Sequence, residues 1–430
     1  MIFMEICGSL IVVNPYLILR NACLVVKNGK IASLTSYRGD ISEEFTIVTH
    51  GLASLHTHLG LYPIRSTLYF SMNLDSWVIK FVWPWERLLR EEPDLSYYAA
   101  LLALNELMRS GVTAVADMHF NEEVVARAIE RVGIRGDLST ALMNRGVFES
   151  FEEAIDENLR LVRSLRGRSD VNVRLGPCTP RLLTPSQLRY VIKLAAELGI
   201  GIHMHIGEVP EDAEYLQKNF GLSISEFFNY VRLGVVDSIV AHGIWLFDGL
   251  DALKRRPVVV AHSPRSNILL GSGLINLRKI IAEGIAAALA IDVAPTYNIL
   301  DELGTVLYTQ RLEGIDFHDL YSMVTETPYK SMGFGTGCLS LNEPADVVVW
   351  ELEDDIIKQL RSIHSSVSQP PISLIIHALV SGHTKVKNLY VGGRAIIRDG
   401  VPAISQSEVD KAREKVHQAI RDLYGELFSL

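Results

Sequence analysis

Two histidines separated by a single residue, His56 and His58, are the first side chains whose spacing suits chemistry. They end the apolar run LASLHTH, which is typical of a strand, and residues two apart on a strand point to the same face. Two imidazoles could therefore bind one metal ion. Such a pair alone is more often two hydrogen-bonded polar side chains, so this interpretation requires further ligands.

Those further ligands follow later apolar runs. Six of the 13 histidines fall at the ends of four predicted strands, which random scatter does not explain. Imidazole and carboxylate groups suit zinc or a similar divalent ion, and three histidines with one aspartate leave a position for water. Such an ion lowers the pKa of its water towards about 7, which creates a nucleophile at neutral pH. The residues that join His56 and His58 in this pattern are His203, His205, His242, His262 and Asp292.

A proton carrier beside the ion is the next requirement of such a site. Glu208 lies three residues after His205, just past the predicted strand end, where its carboxylate could reach a substrate. It could instead be a first-turn glutamate that the helix dipole favours. His242 could polarise the attacking water or stabilise the charge that develops on it. The alternative for His242 is a hydrogen-bonded core histidine.

The elements that must position these side chains are short apolar runs that alternate with amphipathic stretches of helix length. Eight strands separated by helices over about 240 residues predict an α/β protein, a (β/α)8 TIM barrel with polar residues at the carboxyl ends of its strands. Helix signals agree, since Thr184-Pro185 begins one such stretch and Gly199 ends it. The predicted strands are LASLHTH, TAVADMHF, GDLSTALM, NVRLGPCT, GIHMHIG, SIVAHG, PVVVAHS and AALAID.

Both ends of the chain are rich in β-like sequence. SLIVV, CLVVKNGKIASL and FTIVTH come before the barrel, with a hairpin turn at Asn28-Gly29, and ADVVVWEL and VKNLYVGGRAIIRDG come after it. We predict that residues 1–51 and 338–430 fold together as a small β-sandwich domain, and that the catalytic barrel over residues 52–337 is inserted between them. The amphipathic helix SEVDKAREKVHQAIRDLYGELF then ends the chain.

Composition and charge restrict the partners. The formal net charge of -9, from 41 basic and 50 acidic residues, leaves no basic excess to bind a nucleic acid, so a small neutral or cationic substrate is expected. Apolar runs stay shorter than the roughly 18 residues of a membrane-spanning helix, which predicts a soluble protein without a membrane partner. Four scattered cysteines do not suit a disulfide framework or a zinc ribbon, so we expect buried free thiols and a reducing cytoplasm. These cysteines are Cys7, Cys23, Cys178 and Cys338.

Taken in order, GLASLHTHLG, HMHIGE, VAHG, AHSPRSNILLGSG and LAID resemble the amidohydrolase superfamily, in particular its chlorohydrolase and adenosylhomocysteine (methylthioadenosine) deaminase branch. The similarity extends to WPWE, GVTAVADMHF and ADVVVWEL, so it covers nearly the whole chain. It implies one divalent ion, usually zinc, bound by His56, His58, His205 and Asp292. The absence of a lysine near GPCT that could bridge two metals agrees with one ion. Iron, cobalt and manganese suit the same ligands.

This branch deaminates aminated heterocycles, and the resemblance implies the corresponding roles here. Glu208 would protonate a ring nitrogen, and Asp292 would take the proton of the attacking water. Ammonia would leave as the ring becomes a lactam. His242, a metal ligand in binuclear relatives, would lie near the attacking water instead. His203 and His119 have no clear counterpart and are expected to support a ligand or the strand packing.

Four further residues bear on the substrate. Glu86 matches a family glutamate that contacts ribose hydroxyls, and Arg145 in MNRG matches an arginine of the substrate pocket. Both favour a purine nucleoside, although either could equally form a surface ion pair. Cys178 stands where relatives usually carry a pocket histidine, so one hydrogen bond is weakened or lost. His262 in HSPRSN is expected to lie in the pocket or to support a ligand.

The predicted activity is hydrolytic deamination of an adenine nucleoside, which is adenosine, 5'-deoxyadenosine or methylthioadenosine, to the inosine analogue and ammonia. FEEAIDENLRL lacks the second arginine with which relatives bind an amino-acid carboxylate, which argues against adenosylhomocysteine. The loop IDVAPTYN departs from the family pattern but keeps Asp292. The alternatives are the same chemistry on another ring, as in guanine or cytosine deamination or triazine dechlorination, and a barrel that binds without catalysis. Relatives are commonly oligomeric, so a homo-oligomer is also allowed.

Overall fold

The structure, a computed structural model, describes residues 3–37, 45–70, 72–353, 355–356, 359, 362 and 370–425. Its strands, numbered in chain order, are β1 Phe3–Asn14, β2 Leu17–Lys27, β3 Lys30–Ser36, β4 Thr46–His50, β5 Leu52–Thr57, β6 Val112–His119, β7 Arg135–Leu142, β8 Val171–Val173, β9 Gly176–Pro177, β10 Ile202–Ile206, β11 Ser238–His242, β12 Val258–His262, β13 Ala286–Leu289, β14 Val347–Leu352, β15 Thr384–Val391, β16 Arg394–Arg398 and β17 Val401–Pro402.

The helices lie mostly between the barrel strands. They are α1 Leu74–Trp77, α2 Trp83–Glu91, α3 Asp94–Arg109, α4 Glu122–Val132, α5 Phe151–Ser164, α6 Pro185–Leu198, α7 Glu211–Phe220, α8 Ile224–Val231, α9 Gly249–Leu253, α10 Pro264–Leu269, α11 Leu277–Ala282, α12 Ile299–Gln310, α13 Phe317–Ser322, α14 Glu326–Met332, α15 Ile372–Val380 and α16 Gln406–Tyr424. One π-helical turn, Val78–Val82, joins α1 to α2, and 3-10 turns cover Leu59–Phe70 and Arg311–Glu313. Within the described ranges, no helix has both the length and the apolar character needed to cross a membrane.

Two parallel sheets contain the predicted barrel strands. One has the order β5-β6-β7-β8, with β9 also paired to β7, and the other has the order β10-β11-β12-β13. Isolated bridges between Leu175 and Ile202 and between Thr57 and Asp292 link the neighbouring edges of the two sheets. All eight predicted strands are confirmed as strands of these sheets, although NVRLGPCT forms the two short strands β8 and β9.

The two ends of the chain meet in one mixed sheet, whose strand order is β17-β16-β15-β14-β4-β1-β2-β3. The hairpin predicted at Asn28-Gly29 is confirmed, because both residues adopt positive φ values, 53° and 76°, between the paired residues Lys27 and Lys30. The terminal helix is also confirmed as α16. The strand pairing joins all eight strands without separating the two layers of the predicted sandwich, and the domain limits at 51 and 337 stay predictions.

The cysteine prediction was wrong for one pair. Cys7 and Cys23 form a disulfide, while Cys178 and Cys338 are free. The two bonded cysteines face each other across β1 and β2, with 4.0 Å between their Cα atoms, so strand pairing brings their sulfur atoms together. The inference of a reducing compartment rested on four free thiols and loses that support.

A buried ion pair joins the mixed sheet to the barrel. Asp346, just before β14, has no solvent exposure and accepts two hydrogen bonds from the Arg135 guanidinium, at 2.6 and 2.9 Å. The Tyr329 hydroxyl and the Gly392 backbone N–H donate to the same carboxylate, at 3.1 and 2.7 Å. Four hydrogen bonds therefore compensate for burying this charge.

Candidate active site

Four predicted metal ligands meet at the carboxyl ends of the parallel strands. His56 and His58 lie at the end of β5, His205 lies in β10, and Asp292 follows β13. The Nε2 atoms of His58 and His205 are 3.2 Å apart. The Asp292 Oδ1 atom lies 3.3 Å from Nε2 of His56 and 3.2 Å from Nε2 of His58. The ligand atoms of His56, His58 and His205 lie within 4.8 Å of one another, as do those of His56, His242 and Asp292, so the two groups share His56 and form a cluster that could hold a metal ion.

The hydrogen bonds of two of these rings determine which nitrogen carries the proton. The Nδ1 atom of His58 lies 2.6 Å from the Met118 carbonyl oxygen, and Nδ1 of His205 lies 2.8 Å from the Cys178 carbonyl oxygen. A carbonyl oxygen only accepts, so each Nδ1 must donate, and each ring presents an Nε2 lone pair when it is neutral. Burial lowers the pKa of His58, but Asp292 beside it raises that pKa to about 9, so a cation bound here would take the place of the second proton on this ring. Two lone pairs and a carboxylate that face one another at this distance repel, so the donor set suits a cation.

His56 is the third imidazole of the donor set, and a hydrogen bond to a second histidine, His203, orients its ring. Its Nδ1 atom lies 2.9 Å from Nε2 of His203, and its own Nε2 is buried without a hydrogen-bond partner. Burial lowers the pKa of His56 to about 4 and that of His203 well below its ordinary value, so both rings are neutral. When the His56 Nδ1–H donates to His203, the His56 lone pair points towards Asp292. His203 therefore orients the ring of His56, a predicted ligand.

Asp292 is held in an ionised form. Burial opposes ionisation, but the adjacent His56 and His58 rings lower the pKa of this carboxyl well below its usual range. The Ser266 hydroxyl donates to its second oxygen at 2.5 Å. The residue also adopts a left-handed backbone, with a φ of 57°, which is uncommon outside glycine and typical of residues constrained at functional sites.

Glu208 and His242 form an acid–base pair beside this centre. Oε2 of Glu208 lies 3.5 Å from Nε2 of His242, whose Nδ1 donates to the Asn267 side-chain oxygen at 2.9 Å. Burial raises the pKa of Glu208 to about 7, so its carboxyl can hold or release a proton near neutrality. His242 also presents a nitrogen within reach of His56 and Asp292, so it lies near the point where the four ligands converge.

A cavity of about 640 Å³ opens above these groups. His58, His205, Glu208, His242 and Asp292 all line it, so the candidate ligands and acids face the same space. The rest of its surface is mainly apolar, which suits a flat heterocycle. The apolar lining consists of Leu61, Leu74, Trp77, Val78, Ile79, Val82, Trp83, Met143, Leu182, Leu270 and Val293.

Three of the four predicted substrate residues also line this cavity. Glu86 is 6% exposed, and its Oε1 atom lies 3.4 Å from Nε2 of the buried His119. Arg145 is exposed at the rim and donates to the Arg181 carbonyl oxygen at 3.2 Å. Cys178 lies in the wall, and burial raises the pKa of its thiol to about 12, so it stays protonated. Its carbonyl oxygen, which no motif singled out, positions the ring of His205.

His262 does not line the cavity. Its ring is fully buried, and its Nε2 atom lies 3.5 Å from the Gln310 amide nitrogen of α12. The geometry therefore does not support the predicted pocket role. The sequence reasoning also missed Arg181, Asp212 and Ser266, which contact the site through side chains; Ser266 belongs to the HSPRSN motif, where the signal was available.

Comparison with known proteins places this geometry in a family. The sequence matches the amidohydrolase family model over residues 47–422. It is 28% identical to 5-methylthioadenosine/S-adenosylhomocysteine deaminase of Thermococcus sibiricus, over 84% of this chain and 89% of the relative. It is 27% identical to 5'-deoxyadenosine deaminase of Methanothermobacter thermautotrophicus, over 91% of this chain and 94% of the relative.

A solved structure shows the same fold. An adenosine deaminase from Xanthomonas campestris with bound zinc superposes with a TM-score of 0.83 at 18% sequence identity, over 97% of this chain and 98% of the other. At this identity the match concerns the fold alone. The family model, by contrast, covers most of the sequence, including every residue of the cluster described above. The chain belongs to the amidohydrolase family.

Proposed function

We propose that this protein is a metal-dependent deaminase of an adenine nucleoside, which converts adenosine, 5'-deoxyadenosine or methylthioadenosine to the inosine analogue and ammonia. The observation that carries this proposal is the convergence of three imidazole nitrogens and a carboxylate beside Glu208 at one cavity. The names of the two relatives support the substrate class. We also propose that the linked sheets close as a (β/α)8 barrel, which would place this cavity at its carboxyl-terminal face.

The proposed ligands are His56, His58, His205 and Asp292, and three imidazoles with one carboxylate suit Zn²⁺, with iron, cobalt and manganese as alternatives. When bound, such an ion supplies Lewis acidity and lowers the pKa of water to about 7. The buried Nε2 of His56, which lacks a hydrogen-bond partner, is the observation that favours a cation at this point.

The protein's own acids then move the protons. Water adds to the ring carbon that bears the amino group and gives one proton to Asp292, while Glu208 protonates the adjacent ring nitrogen. As the C–N bond breaks, the proton on Asp292 passes to the leaving amino group, and the remaining hydroxyl proton returns to Glu208. Ammonia and a lactam are formed, and both carboxyl groups are restored. His242, 3.5 Å from Glu208, stabilises the charge that develops on the oxygen.

Substrate binding would use the opposite wall of the cavity. Glu86 is buried there beside His119, and we assign it to the ribose hydroxyls because a buried carboxylate needs hydrogen-bond donors. Arg145 lies at the rim, where it can contact the far side of the sugar. Cys178 contributes a neutral thiol where a stronger hydrogen-bonding group would otherwise stand. The cavity volume is within the range of roughly 300–1,000 Å³ typical of small-molecule sites.

The test is ammonia release from the three nucleosides by metal-loaded protein, together with its Glu208→Gln variant. We expect that variant to lose about 10²–10⁴-fold in turnover, the range for general acid–base catalysis, while its metal content stays unchanged. Glu214→Gln, on the exposed surface of α7, is the matched control and should retain full activity. Metal-loaded wild-type protein that releases no ammonia from any of the three nucleosides would contradict the proposal.

A second candidate is the same chemistry on another ring. Cys178 in the cavity wall favours it, because a thiol there makes weaker hydrogen bonds to a purine or its sugar. Assays with guanine, cytosine and a chlorotriazine separate the two candidates. Glu86→Gln should impair nucleosides selectively if Glu86 binds ribose, and should leave a free-base activity unaffected.

A further inference from the structure

Arg181 connects two walls of the cavity. None of the roles assigned above links these walls. It lies in the loop after β9, it lines the cavity, and its side chain is 19% exposed. Its Nη1 atom contacts Oδ1 of Asp75 on α1 at 2.8 Å, and its Nε atom contacts Oδ1 of Asp212 on α7 at 2.9 Å. One guanidinium therefore bridges carboxylates on two separate helices.

The Asp212 end of this bridge reaches the proposed proton carrier. Asp212 is 2% exposed, and its second carboxylate oxygen accepts the backbone N–H of Glu208 at 3.0 Å. The guanidinium thus fixes a carboxylate that in turn fixes the backbone from which the Glu208 side chain extends. Because both Arg181 and Asp212 are largely withdrawn from water, their electrostatic attraction is screened little. The contact is an ion pair without an aligned hydrogen bond, since neither Nε of Arg181 nor Oδ1 of Asp212 has a hydrogen-bond partner.

The Asp75 end of the bridge belongs to the segment that covers the cavity. Leu74, Trp77 and Val78, together with Ile79 and Val82, line the cavity from α1 and the π-helical turn that follows it. The Asp75 side chain is 61% exposed, so its pairing with Arg181 competes with water and forms or breaks at little cost. The bridge therefore has one fixed end and one exchangeable end.

We propose that Arg181 is a positioning residue that couples the cavity wall over residues 74–82 to the placement of Glu208 through Asp212. When the wall is docked, Asp75 completes the guanidinium's second ion pair and holds Arg181 against Asp212. When the wall departs, Arg181 loses that restraint, and the backbone at Glu208 is held less firmly. The coupling would align the proton carrier only while the cavity is covered, and its effect on turnover rests on the proposed deaminase function.

Three variants of the metal-loaded protein test this coupling, with kcat, KM and backbone hydrogen exchange as readouts. Asp75→Asn should speed exchange over residues 74–82 and, to a smaller extent, over 207–212, and should raise KM by about 2- to 5-fold with a smaller fall in kcat, because only the exposed end of the bridge is lost. Arg181→Met should speed exchange over both 74–82 and 207–212 and lower kcat at least about tenfold, since small misplacements of a catalytic group cost up to about 100-fold. Arg181→Lys, which retains the charge, should show a smaller increase in exchange and a smaller loss of kcat than Arg181→Met. Lys193→Met, from an exposed pair with Glu197 on α6, is the control.

The outcomes are distinguishable. Unchanged exchange over 207–212 in either Asp75→Asn or Arg181→Met overturns the coupling, as does unchanged exchange over 74–82 in Asp75→Asn. A loss of substrate affinity in Arg181→Met without any change in exchange also overturns it and identifies Arg181 as a direct substrate contact. If Arg181→Met does not fold, Asp75→Asn on the surface still gives the decisive measurement. If wild-type protein deaminates no nucleoside, the proposed function fails, while the exchange measurements still decide whether the wall and Glu208 are coupled.

Discussion

The hydrogen bond between His56 and His203 gives the sharpest prediction about metal affinity. We consider His203→Leu, which keeps much of the side-chain volume but removes the acceptor for the His56 Nδ1–H, and His203→Gln, whose amide oxygen can replace that acceptor. Both histidines are fully buried, so water cannot take over the role. The two variants therefore separate the loss of a hydrogen bond from a change in packing.

The size of the effect follows from this geometry. A buried donor left without a partner costs about 1–3 kcal/mol. At 1.4 kcal/mol per factor of ten, His203→Leu should weaken metal binding by about 5- to 150-fold. This range overlaps the roughly 10- to 100-fold loss typical when a group that orients a metal-binding histidine is removed. His203→Gln should retain most of the affinity.

The assay is competition between the protein and a chelator for Zn²⁺ or Co²⁺ at fixed pH, which measures affinity without reference to turnover. His262→Leu is the matched control, because that histidine is equally buried but lies beside Gln310 and outside the ligand set. Affinity equal to wild type in His203→Leu, or equal losses in the Leu and Gln variants, would refute the reasoning.

Three further predictions concern stability and pH. Asp346→Asn should lower the free energy of unfolding by about 3–5 kcal/mol, because it leaves the Arg135 guanidinium without its buried partner; a loss below about 1 kcal/mol on urea denaturation would show that water replaces the pair. Cys7→Ser should lower the free energy of unfolding by about 3 kcal/mol, as expected for opening a loop of about 15 residues. A reductant should cause the same loss in the wild type but no further loss in the variant. Equal stability of oxidised and reduced wild type would exclude a role for the Cys7–Cys23 bond. Burial raises the pKa of Glu208, so its proton-donating form persists to about pH 7 and kcat/KM should fall as the pH rises past that value; the same fall in Glu208→Gln would assign it to another group.

The order of the ligands along the chain was predictable because parallel strands end at the same edge of a sheet. The apolar runs indicate those ends to within a residue or two, so the sequence alone predicts that His56, His58, His205 and Asp292 converge. The partner of His56 was less accessible. His203 is 147 residues away along the chain. It is the acceptor, rather than another histidine, only because its position on β10 is level with that of His56 on β5.

The disulfide was missed because it depends on an irregular register. Asn14 pairs with Leu17 across the turn, and a regular hairpin continued from that pair would place Cys7 opposite Leu24. A register shift between Val12 and Asn14 moves the pairing by one residue, so Cys7 faces Cys23 instead. A shift of this kind leaves no mark in the alternation of apolar residues that identified the strands.

A side chain must lie at the end of a strand to reach this site, but that position does not determine which way the side chain points. His242 and His262 illustrate this, because only His242 faces the site. Each is the last residue of its strand, and Ala241 and Ala261 just before them are paired in register. His262 keeps regular pairing with Leu289, so it faces the surrounding helices as Leu289 does and contacts Gln310. His242 is also paired in register, with Ile206, but it adopts a φ of 71°, a left-handed conformation, and its ring lies beside Glu208. The backbone conformation of a single residue therefore separates a catalytic candidate from a packing histidine, and apolar patterning carries no information about it.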